Sequence, residues 1–259
     1  IKEEISHRMN RKPGDFLRVI LGKDEEALRR RGEQFHEIIG GPVTVLPPDT
    51  RHVDYEVIPL TVADGCLYNC GFCRVKSGQH FMPRTRENIL EQIEALKRFY
   101  ARDLLNHNSL FLGQHDALHA GGDLLEFAAV NAYEILEFKR SYLNGSHLFF
   151  FGSVDSLLHS EEKLFESLNR LPYFTYMNIG LESADPATLA TLKKPLSAEK
   201  VGEAFLRMGE INRRYEKIEI TANFVFGNDL PLTHFDSLFD LVARQWAPSR
   251  NKGAFYLSP

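Results

Sequence analysis

The sequence predicts an α/β protein, a parallel sheet curved into an incomplete (β/α)6 TIM-type barrel and preceded by an N-terminal helical extension. Three observations predict it. Short apolar runs ending in Gly or a polar residue alternate with amphipathic helical patterns, and such alternation selects a parallel sheet with right-handed crossovers. The first run, YEVIPLTVA, is continuous and rich in β-branched residues, as a strand buried on both faces requires. The 205 residues from Tyr55 to Pro259 hold about six βα units at ~31 residues each, and eight would not fit.

Residues 1–54 read as the extension and 55–259 as the barrel. The extension carries a helix from about Asp24 to Ile39 behind the polar loop NRKPGD, and GGPVTVLPPDTRH then interrupts, because two Gly and three Pro cannot continue a helix. After strand YEVIPLTVA, a helix over Arg86–Arg102 places Ile89, Ile93, Leu96 and Tyr100 on one face. Strand SLFLGQHD leads to a helix over Leu124–Arg140 carrying Leu124, Ala128, Ile135 and Phe138. Strand HLFFFGSVD precedes a helix capped by Ser160 and ending at Leu171; strand YMNIGLES precedes one from Ser197 to Asn212. Strand ITANFVFGND is followed by a helix opened by Thr233, with Phe235, Leu238, Phe239, Val242 and Trp246 at helical spacing, and a sixth strand begins near Ala254. The FFF and NFVFG runs read as core. In such a sheet chemistry lies at the C-terminal strand ends, where GQHD, GSVD, GLES and GND sit.

Composition narrows the function classes. With 43% hydrophobic and 25% charged residues the chain is neither disordered nor fibrous. The balance of 31 Lys+Arg against 35 Asp+Glu gives a net charge of -4, so nucleic acid is not indicated as a partner. No apolar stretch approaches the roughly 20 residues that span a bilayer, so no membrane is expected, and IKEEISHRMNRK lacks the apolar centre of a signal peptide. The chain reads as cytoplasmic. It begins with Ile and stops at FYLSP just as an apolar run has begun, which reads as a trimmed piece.

All three cysteines, Cys66, Cys70 and Cys73, fall within eight residues, which marks a ligand set and not a disulfide framework. Their CxxxCxxC spacing lets three thiolates reach three corners of an iron–sulfur cubane, leaving the fourth iron open to a chelating molecule. Gly65 and Gly71 let the backbone wrap closely, and Phe72 offers a flat apolar face. A zinc site completed by His80 or another His is the alternative; inert buried thiols would leave the clustering unexplained.

The motif CLYNCGFC, with an aromatic residue before its third cysteine and a strand before its first, resembles that of the radical S-adenosylmethionine (SAM) superfamily, over about Glu56–Tyr256. The resemblance implies a [4Fe-4S] cluster on Cys66, Cys70 and Cys73 whose open iron is chelated by SAM. It implies reductive cleavage of SAM to methionine and a 5′-deoxyadenosyl radical that takes hydrogen from substrate, with a ferredoxin or flavodoxin as electron donor. Gly113, Gln114 and Asp116 stand where the family's second strand receives the methionine ammonium; LGQHDAL departs from the usual Gly-Gly-Glu and is similar to a variant in the Elp3 and coproporphyrinogen-oxidase-like (HemN-type) subgroup. Gly180-Leu181-Glu182-Ser183 resembles that subgroup's GLES segment. Lys194 stands where the subgroup places a cation, with Lys193 as its competitor. Glu182 and Lys194 are the complementary charges for a zwitterionic ligand. Ser153 and Asp155 occupy a ribose-contact position or cap the next helix, and Asn223 matches a nucleoside-facing site. His80, His107, His115 and His119 read as solvated loop residues, and Arg74, Lys76, Arg84 and Arg86 as a solvated face or an anion contact. Two other classes compete: a zinc-stabilised, non-catalytic module on a barrel scaffold, and a metal-free barrel enzyme using His and Asp. The motifs carry no substrate and no reaction class.

Overall fold

Six strands pair in parallel in the order β1 (Val57–Pro59), β4 (Ser109–Asp116), β5 (His147–Gly152), β6 (Phe174–Glu182), β7 (Ile218–Val225), β8 (Phe255–Ser258). The outer strands β1 and β8 do not pair, so the sheet is an open, partial barrel, as expected. The computed structural model describes residues 20–48, 55–68, 70–73, 80–245 and 252–258. The NRKPGD loop, Arg74, Lys76 and Trp246 lie outside them. The chain forms two compact units, Ile1–Pro42 and Val43–Pro259. Thr44, which the sequence reading assigns to the extension, belongs to the second unit, where its N–H and hydroxyl both donate to Gln114 Oε1 at 2.8 and 3.0 Å.

The first unit contains α1 (Glu25–Ile39). Asp24 caps it by accepting from Ala27 N–H at 2.8 Å, Glu25 and Glu26 favour its positive end, and Gly40 ends it in a left-handed turn at φ 81. In the second unit the helices α2 (Arg86–Tyr100), α3 (Gly122–Ile135), α4 (Val154–His159), α5 (Glu162–Arg170), α6 (Pro186–Thr191), α7 (Ala198–Arg214) and α8 (Leu232–Gln245) separate the strands.

Three sequence expectations are corrected. YEVIPLTVA yields only three sheet residues, because the chain leaves β4 after Leu60 and pairs β2 (Ala63–Asp64) with β3 (Met82–Pro83) in a separate antiparallel ribbon. The freed backbone at Thr61 is taken up by the buried Gln92 amide, which accepts from Thr61 N–H and donates to Thr61 C=O. Ser160 does not cap α5: its hydroxyl donates back to Ser156 C=O, closing α4, a helix the periodicity did not separate. Phe226 of the NFVFG run is exposed, whereas Phe149, Phe150 and Phe224 are fully buried.

Alternation along the strands sets two layers. On β6, Met177, Ile179 and Leu181 are fully buried, while Tyr176, Asn178, Gly180 and Glu182 alternate with them on the opposite face. The N-terminal end of that face is filled by aromatic rings: Tyr176 stacks on Phe149 at 5.3 Å between centroids, and Phe149 meets Tyr55 at 4.8 Å. Above this plug come Phe151, Asn178, Gly180 and Asn223, and a space opens at the C-terminal strand ends.

Candidate active site

That space is a cavity of about 270 Å3. Cys66, Cys70, Phe72, Cys73, Gln114, Asp116, Ser153, Glu182, Lys194 and Asn223 all line it. Strand parity and register explain the convergence. Asn178, Gly180 and Glu182 share one face of β6, and Gly180 lies beside Asn223 of β7. Gly113 is not among the lining residues; its φ of 86 supplies the turn that carries Gln114 and Asp116 to the rim. A larger cleft of about 630 Å3 lies among α3, α4 and α5, lined by Arg86, His119 and Ser167 among others, but it contains neither the cysteines nor Glu182 and Lys194.

The cysteine loop is held from two sides. Gly65 takes φ 72, and Gly71 N–H donates to Leu192 C=O at 2.9 Å; a Cβ on Gly71 would press at 3.3 Å on that same oxygen. Tyr68 donates its hydroxyl to the Asp155 carboxylate and accepts from Asp155 N–H at 3.1 Å. All three cysteines are free, Cys70 is buried, and burial pushes the Cys66 and Cys70 thiols up, with the neighbouring sulfurs adding to the shift. Three soft donors on one wall, in a setting that disfavours bare thiolates, fit an iron–sulfur cluster that displaces the protons on binding. Of the histidines open to the zinc alternative, His80 is exposed and does not line the cavity, whereas His115 does.

In the same cavity, Lys194 Nζ stands 3.5 Å from Glu182 Oε1, both side chains buried. Burial pushes the Glu182 carboxyl up, and the opposing Lys194 ammonium does not cancel it. Glu182 adopts φ 66 where the register shifts against β7, and its carboxylate folds over Gly180. A Cβ at residue 180 would lie 2.5 Å from Glu182 Oε1, so any larger residue there would displace the carboxylate. Lys194 is the cavity cation and Lys193 is not among the lining residues.

Asp116 is buried and accepts from His119 N–H at 3.2 Å, Ser153 N–H at 3.1 Å and Ser156 hydroxyl at 2.7 Å, so it joins the ends of β4 and β5 as well as lining the cavity. Ser153 caps α4 by accepting from Ser156 N–H at 3.1 Å. Asp155, the other residue of that segment, pairs with Tyr68 and with Lys200 at 2.6 Å.

Tyr68, Phe151 and Asn178 are among the lining residues that sequence reasoning did not single out, and His115, read from the sequence as a solvated loop residue, lines the cavity as well. Asn178 is the most informative. Its Nδ2 donates to Thr221 Oγ1 at 2.9 Å and to Asn223 Oδ1 at 3.2 Å, while Thr221 spends its own hydrogen on Met177 C=O at 3.4 Å. That chain fixes the amide, and the buried Oδ1 has no hydrogen-bond partner among the described residues. Its signal in the sequence was a lone polar residue at the inward parity of an apolar strand, four residues before Glu182.

The family model described as the Radical SAM superfamily matches residues 60–242. Among solved structures, the chain is similar to the cobalamin-dependent S-adenosylmethionine radical enzyme OxsB, with aqua-cobalamin and S-adenosylmethionine bound, at 16% identity and a TM-score of 0.51 over 72% of this chain and 26% of that one. A radical SAM methyltransferase from Sphaerobacter thermophilus matches at 15% identity, TM-score 0.48, over 80% of this chain and 57% of that one. Methylornithine synthase (PylB) matches at 13% identity, TM-score 0.44, over 94% and 64%. The chain thus spans about a quarter of the length of OxsB. No protein of curated function matches it in sequence. A family match over most of the chain, on a partial barrel with three cysteines at its mouth, places this chain in the radical SAM superfamily.

Proposed function

We propose that Cys66, Cys70 and Cys73 hold the [4Fe-4S] cluster of the family and that Glu182, Lys194 and Asn223 hold SAM beside it. When bound and reduced, this pair of cofactors yields methionine and a 5′-deoxyadenosyl radical that abstracts hydrogen from substrate. The observation that carries the reading is convergence: cysteines, an acid–base pair and inward polar side chains from four strands and two loops meet in one cavity at the C-terminal strand ends.

Each residue has a task that follows from its surroundings. Lys194 pairs with the SAM carboxylate and Glu182 accepts from its ammonium or ribose, the two complementary charges being preset in a dry site. Phe72 and Phe151 cover the nucleoside with apolar surface, and Gln114 and Asp116 shape the rim. The Asn178 oxygen at the cavity floor accepts from an O–H or N–H of the substrate, which restricts substrates to those carrying such a donor within reach of the radical. The GLES segment with its buried lysine supports kinship to the Elp3 and coproporphyrinogen-oxidase-like subgroup. A ferredoxin or flavodoxin supplies the electron, and the thiol set suits the reducing cytoplasm. No helix among the described residues is long and apolar enough to cross a membrane.

Anaerobic reconstitution tests the reading. The expected protein is brown, binds four irons and turns SAM into 5′-deoxyadenosine under dithionite. A colourless protein that holds zinc and leaves SAM intact would sink it.

A further inference from the structure

The cysteine loop and the cavity cation are linked through one side chain that the cofactor chemistry does not itself require. Tyr68 lies between Cys66 and Cys70. Its hydroxyl is used twice, as donor to the Asp155 carboxylate and as acceptor from Asp155 N–H at 3.1 Å, at the start of α4. Asp155 is anchored in turn by Lys200 Nζ of α7 at 2.6 Å. The ring of Tyr68 faces the other way, with Lys194 Nζ 5.5 Å from its centroid. A cation over an aromatic face within about 6 Å is attracted by the ring quadrupole, more strongly when water is excluded, and Lys194 is buried. For Asp155, burial raises the carboxyl, but the bonds from Lys200 and Tyr68 outweigh it and hold the group ionised.

We propose that Tyr68 is a positioning residue: the Tyr68–Asp155–Lys200 chain pins the cysteine loop to α4 and α7 while the Tyr68 ring seats Lys194, so that thiolates and cation keep a fixed spacing. Rigid spacing matters because a ligand that chelates iron at one point and pairs with Lys194 at another gains affinity only when both partners wait in register. The second half of this statement rests on the cofactor reading above. The first half does not.

The tether itself is read on iron-free full-length protein, by the rate at which the buried Cys70 reacts with a disulfide reagent such as DTNB, since a loop freed from α4 is expected to expose it. Tyr68→Phe keeps the ring and removes the hydroxyl; Asp155→Ala removes its acceptor; Asp155→Asn keeps an acceptor. We expect labelling about tenfold faster in Tyr68→Phe and Asp155→Ala, no faster in the double variant, and close to wild type in Asp155→Asn, since a bond to a charged group lost once cannot be lost again. Unchanged or additive rates overturn the tether. On reconstituted protein, Tyr68→Phe is expected to keep four irons, bind SAM about tenfold more weakly, and show a smaller SAM-induced change in the EPR spectrum of the reduced cluster. Iron-replete variants with wild-type SAM affinity and spectrum overturn the spacing role. Should Tyr68→Phe not take up iron, Asp155→Ala and Lys200→Met, altered outside the loop, carry the same comparison. A wild-type protein that takes up no iron refutes the cofactor reading and with it the spacing role; the labelling rates judge the tether separately.

Discussion

Glu182 stands in a left-handed backbone conformation that a side chain occupies at a cost of roughly 1–2 kcal/mol. The turn aims its carboxylate back over Gly180 and toward Lys194, so a strained residue, a glycine and a buried lysine act as one unit. Two outcomes follow at this scale. Gly180→Ala is expected to expel the carboxylate, weakening SAM binding at least tenfold while the fold survives, as isothermal titration and circular dichroism would report. Lys194→Met leaves a buried acid alone and is expected to cost about 3 kcal/mol in urea unfolding near neutral pH, most of which Lys194→Met/Glu182→Gln regains. The pH dependence has a definite sign. A carboxyl raised on folding stabilises most below its unfolded pKa, and that contribution is lost as pH climbs toward the raised value. Urea melts of wild type should therefore weaken from the ordinary glutamate range upward, and Glu182→Gln should abolish that decline.

Elements hold one another through buried amides where strand pairing stops. The pairing of β8 with β7 covers only Ala222–Val225, so the outer backbone of Ile220 lacks a strand partner on that side. Asn212 on α7 takes its place, accepting from Ile220 N–H at 2.7 Å and donating to Ile220 C=O at 2.9 Å. His234 does similar work between β6, β7 and α8. Its Nε2 donates to Val225 C=O at 2.9 Å and its Nδ1 meets the Ser183 hydroxyl at 2.8 Å, so the ring bridges both strand ends. Asn212→Ala is expected to lower stability by about 2 kcal/mol through two orphaned backbone groups, with SAM affinity and EPR spectrum of the loaded protein unchanged. A changed spectrum would mean that the site feels this outer joint.

For the whole molecule, the barrel is open and its contents are carried at one end, so ligation should tighten the end that the sheet leaves loose. Cluster binding stabilises by mass action; at a hundredfold excess over the dissociation constant it adds about 2.7 kcal/mol, or roughly 5–10 °C of melting temperature for a domain of this size. Calorimetry on apo and reconstituted protein checks that difference. The elevated Cys66 and Cys70 thiols must lose protons to iron, so reconstitution is expected to release protons and to speed up as pH rises. Uptake independent of pH would contradict thiolate ligation.

The partial barrel was legible because apolar runs and amphipathic stretches alternate with a period that only a parallel sheet satisfies, and the cysteines because three soft donors within eight residues have few other uses. Glu182, Lys194 and Asn223 were legible through motif and parity together. What the sequence could not decide is which neighbours share a space. Register across β6 and β7 brings Asn178 under Asn223, and the loop's path brings Tyr68 between Asp155 and Lys194, residues 87 and 126 positions away. The early exit of β1 and the closing role of Ser160 were decided likewise, by which backbone groups found partners after packing. Local pattern fixes which face a side chain takes; only the folded arrangement fixes what it meets there, because hydrogen bonds and charge pairs are made across the chain and not along it.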